Sequence, residues 1–243
     1  MLIFQQRRIS IILLALYWPV LIFFAHMPVP DSVRGAHVSD KSLHFQAYLV
    51  LAFLVWFSIK PHEKVNWRKF PVWLVLLGLT AYGGIDEVIQ GHIGRSCDMM
   101  DLVTNILGIT ACLFLLTYIS FLPAAMLICG FVILGIANVS KSDLSELFPL
   151  AYGVFHFFAY SIFTTIWILN IDLLFTKKLE KAKWFAIATG MPICFLLIVR
   201  LFSSLLGNSA NLENFVIPVI AIILVTAARY LQTKSLIRST KLN

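Results

Sequence analysis

Charge is what this sequence has least of. Asp, Glu, Lys and Arg make up 13% of 243 residues, and 60% are hydrophobic. A soluble domain carries roughly 25% charged residues. The shortfall excludes an ordinary water-facing surface and points to a chain built for lipid. Cysteine is scarce as well, at four positions, Cys97, Cys112, Cys129 and Cys194. None forms a C-x-x-C pair and three lie in apolar runs, so neither a disulfide nor a cysteine metal site is expected. A G-x-S-x-G elbow, a glycine-rich phosphate loop and an H-E-x-x-H pair are all missing, which removes the usual signatures of serine hydrolases, nucleotide-binding folds and zinc peptidases. No metal and no cofactor is expected on these grounds. Period-2 alternation is absent too, against a lipid-facing barrel.

What is present is apolar sequence in long runs. Eight are near spanning length: Ile9–Ala25, Leu43–Ile59, Phe70–Ile89, Leu102–Tyr118, Phe121–Ala137, Leu150–Ile171, Trp184–Leu206 and Phe215–Leu231. In lipid a helix satisfies its own backbone, so each run is expected to be a helix. The basic, apolar N-terminus resembles a signal peptide but has no small-x-small cleavage site after it, so it reads as an uncleaved first helix.

The net charge of +7 is clumped between these runs. Fourteen basic residues (Arg7, Arg8, Lys60, Lys64, Arg68, Lys69, Lys177, Lys178, Lys181, Lys183, Arg229, Lys234, Arg238 and Lys241) fall on one side of an eight-span chain. Arg34, Lys41, Arg95 and Lys141 fall on the other, with Arg200 near the outer end of the seventh run. That bias reads as topology, with both termini cytoplasmic, rather than as a nucleic-acid footprint. No nucleic-acid partner is expected.

The chain also repeats itself. "HFQAY" at His44 returns as "HFFAY" at His156, and "SCDMMDLVTN" at Ser96 returns as "SANLENFVIP" at Ser209. The offset predicts an all-α, multi-pass transmembrane bundle of about eight helices, made of two parallel four-helix units, residues 1–120 and 121–243. On this alignment Asp98 becomes Asn211, Asp101 becomes Asn214 and Glu87 becomes Arg200. The second unit keeps the frame and loses the ionisable set, so one chemical site is expected, in the first.

That site draws on three clusters on the outer side. Lys41, His44 and Tyr48 are spaced i, i+3, i+7 and follow Asp40; Asp98, Asp101 and Asn105 have the same spacing and follow Arg95. Between them, Asp86 and Gln90 share a helix face, while Glu87 points about 100° away. Asp86 lies about 24 Å along its helix from Phe70, inside the outer part of a roughly 30 Å hydrocarbon layer. Ionisable groups there are costly and mark a site by default. His44, Asp86 and Glu87 are the candidates for acid–base work. Asp40, Lys41, Tyr48, Gln90, Arg95, Asp98, Asp101 and Asn105 are the candidates for binding. The bland readings are a buried ion-pair latch for Asp86 and Glu87, capping for Asp98 and Asp101, and interhelical hydrogen bonding for Asn105.

The ordered set D-K-x-x-H-F-x-x-Y, D-E-x-x-Q and R-x-x-D-x-x-D-x-x-x-N-x-x-G resembles the VanZ-like family. It is carried by Asp40, Lys41, His44, Phe45 and Tyr48; Asp86, Glu87 and Gln90; and Arg95, Asp98, Asp101, Asn105 and Gly108. The resemblance covers about residues 9 to 118. It implies a bacterial, multi-spanning cell-envelope protein and lowered susceptibility to teicoplanin-type lipoglycopeptides, an antibiotic-resistance role. It implies no settled reaction. The expected partners are membrane lipids and an outer-leaflet amphiphile: a lipid-linked precursor, an anionic lipid or a lipoglycopeptide. A proton-coupled transporter and a scaffold of an envelope complex are the alternatives. The expected place is the cytoplasmic membrane, with the polar site toward the extracytoplasmic side.

Overall fold

The structure is a computed structural model that describes residues 2–27, 40–93, 98–138, 149–175, 180–207 and 213–240. Among them are eight helices: α1 Leu2–His26, α2 Asp40–Ile59, α3 Phe70–His92, α4 Met99–Tyr118, α5 Phe121–Asn138, α6 Pro149–Leu174, α7 Lys181–Leu205 and α8 Glu213–Thr240. All eight contain a stretch long and apolar enough to cross a membrane. The chain is thus an all-helical, multi-pass bundle. Several helices run past the apolar stretch that announces them. α2 starts at Asp40, three residues before Leu43, and α4 at Met99, three before Leu102. A polar residue sets the start of α4: the Asp98 carboxylate caps it by accepting from the Met100 amide at 2.8 Å, which satisfies a donor that the helix leaves open.

The chain divides into two compact units, Met1–Ile128 and Cys129–Asn243. The division falls within α5. The start of that helix belongs to the first unit because Phe121 stacks on Phe53 and meets Phe57 edge-on, at 5.4 and 4.7 Å.

In the first unit α2 is central, packed most extensively on α4 and also on α1, while α3 leans chiefly on α4. The α2–α4 approach is closest at Gly108. A Cβ there would lie 2.4 Å from the Phe45 carbonyl oxygen and 3.1 Å from the Leu49 nitrogen. Without a side chain the two backbones touch, as small residues allow between membrane helices. Tyr17 ties α1 to α2 by donating to the Ala47 carbonyl at 3.0 Å. Trp18 ties α1 to α3 edge-on against Tyr82 at 5.3 Å. The core is aliphatic and aromatic, from Leu51, Ala52 and Trp56 of α2 to Ile109, Leu113 and Leu116 of α4. The outward faces are apolar as well. Leu16, Phe23 and Phe24 of α1, Leu77 of α3 and Phe114 of α4 are exposed, a surface that lipid covers without cost.

In the second unit α6 and α8 make the most extensive pair, with α7 against both. Phe163 and Phe195 stack at 4.6 Å, and Gly130 leaves room for them, since a Cβ there would come within 3.3 Å of both rings. Asp172 and Arg229 pair at 3.2 Å on the surface.

Candidate functional site

His44 is the hub. One turn into α2, it sits where α3 and α4 reach the same end of the unit. Its Nδ1 lies 3.1 Å from Asn105 Oδ1 and 3.9 Å from Glu87 Oε1. Its Nε2 lies 3.8 Å from Asp40 Oδ1 and 4.0 Å from Asp101 Oδ2. Side-chain exposure is 10% for His44, 4% for Glu87 and 6% for Asp101, against 52% for Asp40. Three helices therefore bring an imidazole and two buried carboxylates together, with a third carboxylate at the rim.

The hydrogen bond to Asn105 fixes what the ring offers. With Asn105 Oδ1 as the acceptor, Nδ1 is the donor, and Nε2 is turned toward Asp40 and Asp101. Carboxylates on that side favour a proton, a cation or a hydrogen-bond donor at Nε2. The arrangement is repeated beside it. His26 places Nδ1 2.8 Å from the Ile22 carbonyl, so Nδ1 donates, and its Nε2 faces Asp86 Oδ1 at 3.6 Å. Gln90 donates to the other oxygen of Asp86 at 3.1 Å. Both imidazoles are pinned at one nitrogen and turn the other toward acid.

The positions of Asp86 and Glu87 follow from the 100° step of α3. Asp86 and Gln90 face α1, while Glu87 faces α2 and α4. No side chain among the described residues hydrogen-bonds to either oxygen of Glu87; the Asp98 backbone amide is the polar group beside it. Tyr48 is buried beside Gly83 of α3: a Cβ on Gly83 would meet the Tyr48 ring and hydroxyl at 3.3 Å and the Asn105 amide nitrogen at 3.4 Å. The missing side chain at Gly83 is what lets Tyr48 and Asn105 reach α3.

Lys41 lies at the mouth. Its ammonium donates to Asp98 at 2.8 Å and to Asp101 at 3.3 Å, and Lys41 and Asp98 are both about half exposed. The Lys41 hydrogen bond, and then the Met100 amide, hold the Asp98 carboxyl below its ordinary value. Arg95 lies outside the described residues. Asp40, His44 and Asp101 each offer a ligand atom within 4.8 Å of the others. That set of two carboxylates and one imidazole suits a hard or borderline divalent cation, although Lys41 already stands against Asp101 as a competing cation. The sequence does not group these three as ligands, because they come from two helices with no motif spacing.

His26 is a residue of the site that the three sequence clusters do not include. It is the last residue of α1. The signal was there: a His closing the first apolar run lies at the same end of the bundle as Asp86, which nearly closes the third. In the second unit His156 is buried, and among the described residues neither ring nitrogen has a hydrogen-bond partner. Tyr152 packs on it at 4.3 Å. The neighbours of His44 at 40 and 41 are replaced there by Tyr152 and Gly153, so that histidine sits among rings instead of acids.

Comparison with protein-family models, curated proteins and solved structures finds no match.

Proposed function

We propose that the first unit is a binding site for the polar head of a membrane amphiphile, with His44 as its base and Glu87 as the group that orients or exchanges its proton. The observation that supports this is the His44 ring held between Asn105 and Glu87 on one edge and Asp40 and Asp101 on the other. The gap at Nε2 calls for a donor, so the head group that fits is one rich in hydroxyl or ammonium groups. A hydroxyl placed there would be held by hydrogen bonds to the imidazole and the surrounding carboxylates, oriented and polarised by them. Lys41 is already shared by two carboxylates, which makes it a poor grip for an anionic head group. Of the three amphiphiles considered, a lipid-linked precursor or a lipoglycopeptide suits the site better than an anionic lipid.

The order of motifs resembling the VanZ-like family supports a bacterial envelope role and lowered susceptibility to teicoplanin-type compounds. The bias of basic residues supports cytoplasmic termini and a site that opens to the extracytoplasmic side. A second reading has its own support. A buried carboxylate with no side-chain hydrogen bond among the described residues, beside an imidazole, is also what a proton-coupled transporter needs.

The test is lipid mass spectrometry of cells with the gene, without it, and with His44→Ala or Glu87→Gln, at matched amounts of protein in the membrane. Expected is a change in one amphiphile class that both variants abolish, together with loss of any protection against teicoplanin-type compounds. Variants that behave like wild type would remove the site reading. Uptake driven by a pH gradient in proteoliposomes, with unchanged cellular lipids, would favour the transporter.

A further inference from the structure

The opposite end of the first unit holds a second built feature. Residues 60–69 join α2 to α3, about 28 Å along α2 from Asp40. They are tied down by hydrogen bonds to the neighbouring helices. The Val65 amide donates to the Leu116 carbonyl at 3.0 Å and Lys64 Nζ to the Tyr118 carbonyl at 2.6 Å. Three indoles brace the loop. Trp56 donates to the Glu63 carbonyl at 2.9 Å, Trp67 to the Thr117 hydroxyl at 3.0 Å, and Trp73 to the Trp67 carbonyl at 2.9 Å. A basic loop that served topology alone would need its charges and no fixed shape.

The braced loop forms a shallow, open cleft of about 580 Å³, lined by Glu63, Lys64, Val65, Asn66, Trp67, Arg68, Lys69 and Thr117. Glu63 is spoken for, bonded to Lys60 at 2.9 Å and to Lys69 at 3.0 Å. Those two lysines hold its carboxyl below the ordinary value, Lys60 first. The Arg68 side chain is exposed and has no hydrogen bond or ion pair among the described residues; only its backbone amide is bonded, to Asn66 at 3.1 Å. Lys69 is also the N-cap position of α3, and no side chain caps that helix end. The cleft therefore offers one uncommitted guanidinium, beside indoles of the kind that settle at head-group depth. Next to it are two ammonium groups held in place by the Tyr118 carbonyl and by Glu63, a carboxylate shared with Lys60, so that the cluster stays net positive.

We propose that this cleft binds the phosphate of an anionic phospholipid head group. Arg68 provides the bidentate contact and Lys64 and Lys69 the surrounding charge. The glycerol and first acyl carbons would lie along Trp67 and Trp73. Basic side chains at a membrane surface attract anionic lipid in general; the cleft adds a fixed seat for one. This proposal does not depend on the chemistry at His44.

The test uses the full chain in neutral detergent and reads thermal melting against added phosphatidylglycerol, phosphatidylcholine or inorganic phosphate. Expected is a saturable rise in melting temperature with phosphatidylglycerol and none with phosphatidylcholine. Arg68→Gln should weaken the response about tenfold, and Lys69→Gln should weaken it in a second, independent variant. Inorganic phosphate that competes with the lipid would locate the contact at the phosphate. Phosphate that stabilises when the lipid does not would overturn the lipid as occupant. No response to any probe, or equal responses in wild type and both variants, would overturn the proposal. His44→Ala should respond like wild type, so failure at one site is separable from failure at the other.

Discussion

At Glu87 the difference between a latch and a working carboxylate comes down to what replacing one oxygen by an NH2 group does. Breaking a buried ion pair costs about 3–5 kcal/mol. No side chain among the described residues hydrogen-bonds to Glu87, and the basic group facing it is His44, with Nδ1 at 3.9 Å. Glu87→Gln should therefore leave unfolding stability within about 1 kcal/mol of wild type while ending ligand retention. Denaturation in detergent checks the first part, and a loss on the ion-pair scale would restore the latch. Asp98 behaves differently. Its pKa is depressed in the folded state, first by Lys41, so it contributes stability that is present above the ordinary carboxylate value. That contribution is lost as pH falls through the depressed one. Below about pH 4 the melting temperature of wild type should fall more steeply than that of Asp98→Asn, with parallel curves above. The i, i+3, i+7 spacings made His44, Asp101 and Asn105 legible in sequence. The hydrogen bond between His44 and Asn105 was not legible, because it joins side chains 61 positions apart.

The helices themselves meet through what they lack. Gly108 lets α4 lie against the backbone of α2, and a Cβ would be 2.4 Å from Phe45 O. Gly108→Ala should cost about 1–3 kcal/mol, as overpacking does, and should disturb His44, one residue from Phe45. Gly84 has nothing within 4 Å of an added Cβ. Gly84→Ala should therefore be neutral, or stabilising by up to about 1 kcal/mol. Thermal melting of the two variants side by side checks this, and equal effects would contradict the close approach. Composition gave no means of telling these glycines apart, since the difference lies in the neighbouring helix. The helix cores were plain from their apolar runs. Their polar first turns were legible as well, from the i, i+3, i+7 spacings that begin at Lys41 and Asp98, and Asp98 caps its helix as one of its two readings had it.

For the whole molecule, the number and kind of elements were readable because hydrocarbon leaves few options for a backbone. The division between units was harder to place. The repeat puts it before Phe121, whereas Phe121 packs on α2 and the compact first unit runs to Ile128. Orientation is tested with impermeant maleimide on a chain stripped of its own cysteines. A cysteine at Met100 should label in intact cells, and one at Arg68 only after lysis. The reverse pattern would turn the site to the cytosol. The most direct test of the site itself is native mass spectrometry of the protein released from membrane vesicles. Wild type should carry one tightly held amphiphile, and His44→Ala and Glu87→Gln should be released without it at equal folded yield. A wild-type chain that emerges bare, or variants that carry the same species at the same occupancy, would contradict a binding site built around His44.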